Sequence, residues 1–130
     1  MRLHHVGIAV EDLEEAKARY LLLGYRLLAE GEVAAQGVRV ALLSGEGEAF
    51  LELLAPLGPD TPVGRFLAKR GPGLHHLAFA TPRIEEALAR LKAEGARLID
   101  EAPRPGFGGH RVAFVHPFFG LGVLWELVEA

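Results

Sequence analysis

The sequence contains no cysteine among its 130 residues. Disulfide bonds, thiolate zinc sites and cysteine nucleophiles are therefore excluded. It also lacks a continuous apolar stretch of the roughly 20 residues that a membrane-spanning helix needs, and its start has no apolar segment before a small-residue cleavage site. We therefore expect a cytoplasmic protein without a membrane partner.

Positive charge is scarcer than negative charge: 14 Lys and Arg residues stand against 17 Asp and Glu residues, for a net charge of −3. A nucleic-acid-binding domain normally carries a basic stripe, so we expect no nucleic-acid partner. Half of the residues are hydrophobic, which is enough for the core of one domain spanning residues 1–130.

What the sequence does contain is an internal repeat. Leu3-His4-His5 begins one copy and Leu74-His75-His76 begins the other, and each is followed by an apolar run. Two later segments of the first copy, Arg39-Val40-Ala41-Leu42 and Leu51-Glu52-Leu53, resemble Arg111-Val112-Ala113-Phe114 and Trp125-Glu126-Leu127 of the second. Two copies indicate duplication and fusion, since a solenoid needs three or more stacked units.

Each copy has the pattern of a strand, a helix and three further strands. The two modules fall near residues 1–58 and 73–130, joined by a linker helix near 61–71. The later strands are predicted near 25–30, 37–44 and 48–54, and near 96–100, 110–116 and 122–128. Asp12 with Glu15 predicts a capping box, and Thr61 with Pro62 predicts the start of the linker helix. Thr81 with Pro82 predicts the N-cap and first residue of the second module's helix. We predict an α+β fold with two tandem β-α-β-β-β modules forming curved mixed sheets around a metal cavity.

Strand alternation selects the candidate metal ligands. In each first strand one face carries a His followed by small residues, and those are His5 and His76. Each last strand holds one carboxylate within an apolar run, Glu52 or Glu126, and burying a carboxylate is costly unless it is paired or bound to a metal. Two His and two Glu suit a divalent cation such as zinc, cobalt, nickel, iron or manganese.

The other histidines receive simpler interpretations. His4 and His75 point to the opposite strand face and are interpreted as structural, while His110 and His116 lie in loops or at strand ends, where a substrate role for His110 stays open. The glycine-rich segment at 106–109 lacks the spacing and Lys of a phosphate-binding loop. Taken alone, each His or Glu of the quartet also fits a core histidine or an edge carboxylate, and duplication by itself would preserve the pattern without a metal.

The His-His-Val-Gly-Ile-Ala-Val start resembles the vicinal oxygen chelate superfamily, which includes glyoxalase I, bleomycin-resistance proteins, extradiol dioxygenases and methylmalonyl-CoA epimerase. Several segments resemble the epimerases more narrowly, among them Gln36-Gly37-Val38-Arg39-Val40, Gly108-Gly109-His110-Arg111 and Gly122-Val123-Leu124-Trp125-Glu126-Leu127. The resemblance places the family's metal positions at His5, Glu52, His76 and Glu126. It implies cobalt first among the divalent metals, with manganese, zinc or nickel as alternatives, and a homodimer.

The implied activity is a metal-dependent epimerase that inverts C2 of methylmalonyl-CoA, or of a close acyl-CoA, through a metal-stabilised enolate. Inversion requires proton removal on one face and return on the other, so Glu126 is the first candidate catalytic base and Glu52 the second. A carboxylate that binds a metal is a poor base, so one Glu must loosen or use its second oxygen.

Two departures from the epimerase pattern bear on the substrate. Some epimerases carry a catalytic carboxylate in the strand after the Gln-Gly pair, where this chain has Val40. Epimerase-like sequences often have Lys and polar residues after the His-Pro pair, where this chain has Phe118-Phe119-Gly120. The alternatives are a glyoxalase I-type lyase acting on a hemithioacetal and a non-enzymatic small-molecule-binding protein of the bleomycin-resistance kind.

Overall fold

The computed structural model describes residues 1–130 and contains eight strands and three helices. The strands are β1 (Arg2–Ala9), β2 (Arg26–Val33), β3 (Val38–Ser44), β4 (Phe50–Pro56), β5 (Gly73–Thr81), β6 (Arg104–Pro105), β7 (Arg111–Val115) and β8 (Trp125–Glu129). The helices are α1 (Leu13–Leu21), α2 (Pro62–Arg70) and α3 (Ile84–Ala93). The predicted α+β fold with two β-α-β-β-β modules is confirmed.

The chain divides into two compact units, residues 5–75 and residues 1–4 with 76–130. In the first unit the strand order is β2-β3-β4-β1, and in the second it is β5-β8-β7-β6. In each unit the first and last strands of the module run parallel and the other pairs run antiparallel. That the whole chain is one domain stays a prediction.

One face of each half-sheet packs against the helix of its own module. The apolar cluster beside α1 joins Ile8, Leu13, Ala16, Ala41, Leu43, Leu53 and Ala55, and the cluster beside α3 joins Ile84, Ala87, Leu88, Ala113 and Leu127. These side chains alternate along their strands with the residues of the other face. The helix therefore covers one face of each half-sheet, and the candidate ligands lie on the other.

Two of the three helix starts follow the sequence signals. The Asp12 carboxylate accepts a hydrogen bond from the Glu15 N–H at 3.1 Å, and the Thr61 hydroxyl accepts one from the Gly64 N–H at 3.0 Å at the start of α2. Both bonds satisfy an N–H that has no partner within the helix. None of the three helices is both long and apolar enough to cross a membrane.

The predicted start of α3 is wrong. Thr81 is the last residue of β5, where it pairs with Glu129, and the helix begins at Ile84. The Glu129 carboxylate accepts a hydrogen bond from the Ile84 N–H at 3.3 Å, so a residue 45 positions away supplies a contact usually made by a local cap.

Two strand predictions in module two also need correction. The strand predicted near 96–100 is reduced to a single bridge between Leu98 and Val115, and the edge strand is the short β6. The strand predicted from 122 begins at Trp125, because Leu121 and Gly122 adopt positive φ angles of 58° and 102° and cannot extend the strand.

Candidate metal centre

In module one, strand register places a histidine and a glutamate on one face. β1 and β4 pair in parallel with Gly7 opposite Glu52, and His5 lies two residues before Gly7, so all three side-chain positions face the same way. The His5 Nε2 atom lies 3.4 Å from the Glu52 Oε1 atom. Because residue 7 is glycine, no side chain occupies the position beside the carboxylate.

Module two repeats this arrangement with the same offset. Ala78 lies opposite Glu126 in the parallel pair of β5 and β8, and His76 lies two residues before Ala78. The His76 Nε2 atom lies 3.1 Å from the Glu126 Oε1 atom. The internal repeat seen in the sequence is thus a repeat of one His–Glu pair with one small residue beside each carboxylate.

All four side chains are shielded from solvent, and their ligand atoms are close together. The relative exposures are 3% for His5, 9% for Glu52, 4% for His76 and 6% for Glu126. One nitrogen or oxygen from each of the four lies within 4.8 Å of the others. The structure therefore brings together the same four residues that the sequence patterns select.

The chemistry of this donor set fits a divalent cation. Imidazole nitrogen and carboxylate oxygen are ligands shared by zinc, cobalt, nickel, iron and manganese. Two carboxylates that share a buried site repel each other, and a divalent cation would offset both charges. The quartet can therefore hold one such cation, and the donor types alone do not select among these metals.

The strand faces around the quartet are mainly apolar. In module one Val40 and Leu54 lie opposite each other on the face of Glu52, with exposures of 1% and 5%. In module two Ala78, Val112 and Val128 form a buried cluster on the face of Glu126. Val40 lies on the strand face of Glu52 and has no titratable group. Module one therefore adds no carboxylate to the quartet at that position.

The remaining histidines make local contacts. His4 meets His110 edge-on at 5.9 Å between ring centroids, and His75 meets Phe66 at 4.8 Å. The His110 Nδ1 atom lies 3.2 Å from the Glu129 carbonyl oxygen, and His116 Nδ1 accepts a hydrogen bond from the Phe118 N–H at 3.0 Å. None of these four belongs to the quartet.

The glycine-rich segment at 106–109 forms a tight turn between β6 and β7. Gly108 and Gly109 have positive φ angles of 77° and 83°, and the Gly106 N–H donates a hydrogen bond to the His110 carbonyl oxygen at 2.8 Å. Glycine is needed here because other residues rarely adopt these angles.

A charged residue that the sequence patterns did not single out also faces this side of the sheet. Arg104 pairs with Val112 in β6 and β7, and its guanidinium carbon lies 5.5 Å from the centre of the Phe114 ring. Phe114 lies opposite Glu126 and meets the His76 ring edge-on at 5.7 Å. The signal that could have found Arg104 is a break in the repeat, since the first module has Gly31 opposite Val40.

Clear pKa shifts occur in exposed ion pairs that include α1 or α3 residues. Hydrogen bonds to Glu14 and Glu30 raise the pKa of Lys17. A hydrogen bond from Arg111 lowers the pKa of Glu85, and the same contact, with a second to Glu129, raises the pKa of Arg111. These pairs tie each helix to a strand of its own module and contribute no ligand to the quartet.

A profile of the glyoxalase/bleomycin resistance protein/dioxygenase superfamily matches residues 4–114. The ethylmalonyl-CoA/methylmalonyl-CoA epimerase of Cereibacter sphaeroides is 40% identical to this chain, over 98% of this chain and 97% of its own length. The crystal structure of methylmalonyl-CoA epimerase from Mycobacterium tuberculosis is 42% identical, with a TM-score of 0.93 over 98% of this chain and 86% of that chain.

A variant of the Streptomyces coelicolor methylmalonyl-CoA epimerase, solved in complex with 2-nitronate-propionyl-CoA, is 38% identical with a TM-score of 0.94. The match covers 100% of this chain and 94% of that one. The similarity thus extends over nearly all of this chain and over 86% to 97% of each relative. The chain belongs to the glyoxalase/bleomycin resistance protein/dioxygenase superfamily and, within it, to the methylmalonyl-CoA epimerase family.

Proposed function

We propose that this protein is a divalent-metal-dependent epimerase that inverts C2 of methylmalonyl-CoA or of a close acyl-CoA. The observation that carries the proposal is the quartet of His5, Glu52, His76 and Glu126, whose ligand atoms lie within 4.8 Å of one another. Its support is the family of the chain, whose relatives include the ethylmalonyl-CoA/methylmalonyl-CoA epimerase of Cereibacter sphaeroides and the methylmalonyl-CoA epimerase of Mycobacterium tuberculosis.

The quartet would hold the cation through two imidazole nitrogens and two carboxylate oxygens. A bound divalent cation would supply positive charge that stabilises an enolate of the thioester. Cobalt is our first expectation, with manganese, zinc or nickel as alternatives. The two His–Glu pairs have the same strand register, so each module would contribute one nitrogen and one oxygen.

The protein's own groups must move the proton at C2. That hydrogen is acidic because it lies between a thioester carbonyl and a carboxylate, and inversion needs a group on each face of the carbon. We assign Glu126 and Glu52 as the two proton-transfer groups. In both residues Oε1 is the oxygen near the histidine Nε2, so we assign proton transfer to Oε2.

The apolar strand faces around the quartet would serve the same reaction. Exclusion of water keeps solvent from protonating the enolate, so that a protein group returns the proton to C2. Because Val40 is apolar, we assign the proton-transfer role in module one to Glu52.

Proton exchange at C2 tests the proposal directly. Metal-loaded protein would be incubated with (R)- or (S)-methylmalonyl-CoA in heavy water, with deuterium at C2 followed by mass spectrometry and configuration by chiral analysis. We expect deuterium incorporation together with inversion. No exchange with cobalt, manganese, zinc or nickel would overturn the proposal, and turnover of a hemithioacetal instead would favour a glyoxalase I-type lyase.

The metal site has a separate test. Metal content per chain would be measured for the wild type and for His76→Ala, with His110→Ala as the matched control outside the quartet. We expect one cation per quartet, loss of binding in His76→Ala and retention in His110→Ala. Full retention in His76→Ala would contradict the assignment of the ligands. The homodimer and the cytoplasmic location stay predictions.

A further inference from the structure

We propose that Arg104 binds an oxyanion of the acyl-CoA substrate, and this inference rests on the proposed function. The residue lies on the strand face that carries His76 and Glu126, because the register runs from Arg104 to Val112 and Val128, and from Phe114 to Glu126 and Ala78. Arg104 thus lies on the same side of its half-sheet as two of the four candidate ligands.

The Arg104 side chain is held in place from two sides. Its guanidinium lies over the Phe114 ring at 5.5 Å, and its Nε atom lies 3.1 Å from an Asp100 carboxylate oxygen. The other Asp100 oxygen accepts a hydrogen bond from the Phe114 N–H at 2.8 Å. Asp100 thereby fixes both the strand that carries Phe114 and the cation stacked on it.

This arrangement extends to the candidate centre through one ring. Phe114 meets the His76 imidazole edge-on at 5.7 Å between centroids, so Arg104, Phe114 and His76 form a continuous series of contacts along one face. The Arg104 side chain remains 40% exposed, whereas Asp100 is 15% exposed. Its terminal N–H groups are thus supported by the protein and still accessible to a ligand.

Comparison of the two modules shows whether the fold itself requires Arg and Phe at these positions. Gly31 stands opposite Val40 in module one, at the place where Arg104 stands opposite Val112 in module two. Leu42 likewise takes the place of Phe114, each lying opposite the glutamate of its module. The same module folds with glycine and leucine at these positions, so stability of the fold does not account for the pair of Arg and Phe.

A guanidinium is suited to carboxylate and phosphate oxygens, which it can contact with two parallel N–H donors. An acyl-CoA of the proposed class carries both kinds of group, a carboxylate on the acyl part and phosphates on CoA. The shared chemistry is an oxyanion, and the experiment below separates its two sources.

The test measures affinity by calorimetry for two ligands, methylmalonyl-CoA and methylmalonyl-pantetheine, which keeps the carboxylate and lacks the phosphates. The variants are Arg104→Met, which keeps an apolar cover on Phe114, and Arg104→Lys, which keeps the charge. The control is Arg83→Met, which removes a 75% exposed cation at the start of α3. Circular dichroism and Tm check that each variant is folded.

We expect Arg104→Met to weaken binding of methylmalonyl-CoA by about tenfold or more, with a smaller loss in Arg104→Lys and little change in Arg83→Met. A loss confined to the CoA ester identifies a phosphate as the partner, and a loss with both ligands identifies the acyl carboxylate. If the wild type binds methylmalonyl-CoA and neither Arg104 variant loses affinity, this inference is overturned and the proposed function is not. No binding by the wild type would overturn it together with the proposed function.

Discussion

Ala78 lies directly opposite Glu126 in the parallel pair of β5 and β8. Gly7 has the same relationship to Glu52 in module one, so each carboxylate of the quartet has a small neighbour on its own face. Side chains at paired strand positions are close enough to touch. The size of the space beside each carboxylate therefore depends on a small residue that has no reactive or metal-binding group.

Filling this space should impair the site without removing a ligand. We expect Ala78→Leu to weaken metal binding by about tenfold or more, because a buried, larger side chain forces its neighbours to shift. Metal titration followed by calorimetry measures the effect. Ala89→Leu on the exposed face of α3 is the matched control and should bind as the wild type does. If a folded Ala78→Leu variant bound the metal as tightly as the wild type, the space beside Glu126 would not be part of the metal centre.

The two glutamates should have separable roles in proton transfer. We expect Glu126→Gln and Glu52→Gln each to lower epimerisation by about a hundred- to ten-thousand-fold. Because each group serves one face of C2, each variant should still exchange the proton of one epimer. Rates would be measured in heavy water with each epimer at saturating metal, with the exposed Glu48→Gln as control. Equal loss of exchange for both epimers in both variants would argue against two bases.

Metal binding should stabilise the folded state. A cation that binds only the native protein adds about 2.7 kcal/mol to the free energy of unfolding at a hundred times its Kd. We expect cobalt to raise the Tm of the wild type and of His110→Ala, and a chelator to reverse the rise. The double variant His76→Ala/Glu126→Ala should show no rise. An equal rise in that variant would place the stabilising cation elsewhere.

The distant cap of α3 predicts a loss of stability that the local sequence does not suggest. We expect Glu129→Ala to lower the free energy of unfolding by about 0.5–2 kcal/mol, because the Ile84 N–H loses its acceptor and Arg111 loses a partner. Thr81→Val, which removes the hydroxyl near the Arg83 N–H, should cost less. Chemical denaturation measures both free energies of unfolding. A larger loss in Thr81→Val than in Glu129→Ala would show that Thr81, and not Glu129, is the main cap of α3.

The ion pair between Arg111 and Glu85 predicts a pH dependence with a defined sign. Its hydrogen bond lowers the pKa of Glu85 below the ordinary value of 4.5, so the folded state favours the charged carboxylate. The stabilisation is complete above 4.5 and is lost as pH falls through the lowered pKa. We expect the Tm difference between wild type and Glu85→Gln to be present at neutral pH and to shrink below 4.5. Glu86→Gln, with a longer contact of 3.4 Å to Arg83, should show a smaller difference.

Local patterns and the repeat were enough to predict the candidate ligands and two of the three helix starts. Alternation along the strands selected His5 and His76 over their neighbours, and the isolated carboxylates in apolar strands selected Glu52 and Glu126. The capping residues Asp12 and Thr61 predicted two helix starts for the same reason, since a cap acts within three residues of its own position. Strand alternation and helix capping involve residues close together in the chain, so the sequence is enough to predict them.

Contacts between groups on different strands depend on strand pairing, which appears only in the folded chain. The cap of α3 comes from Glu129 because β8 runs beside β5, and no local pattern encodes that pairing. The position of Arg104 over Phe114 likewise depends on the register of β6 against β7. Strand pairing joins residues far apart in the chain, so the His–Glu distances and the Arg104 cation became visible only in the folded protein.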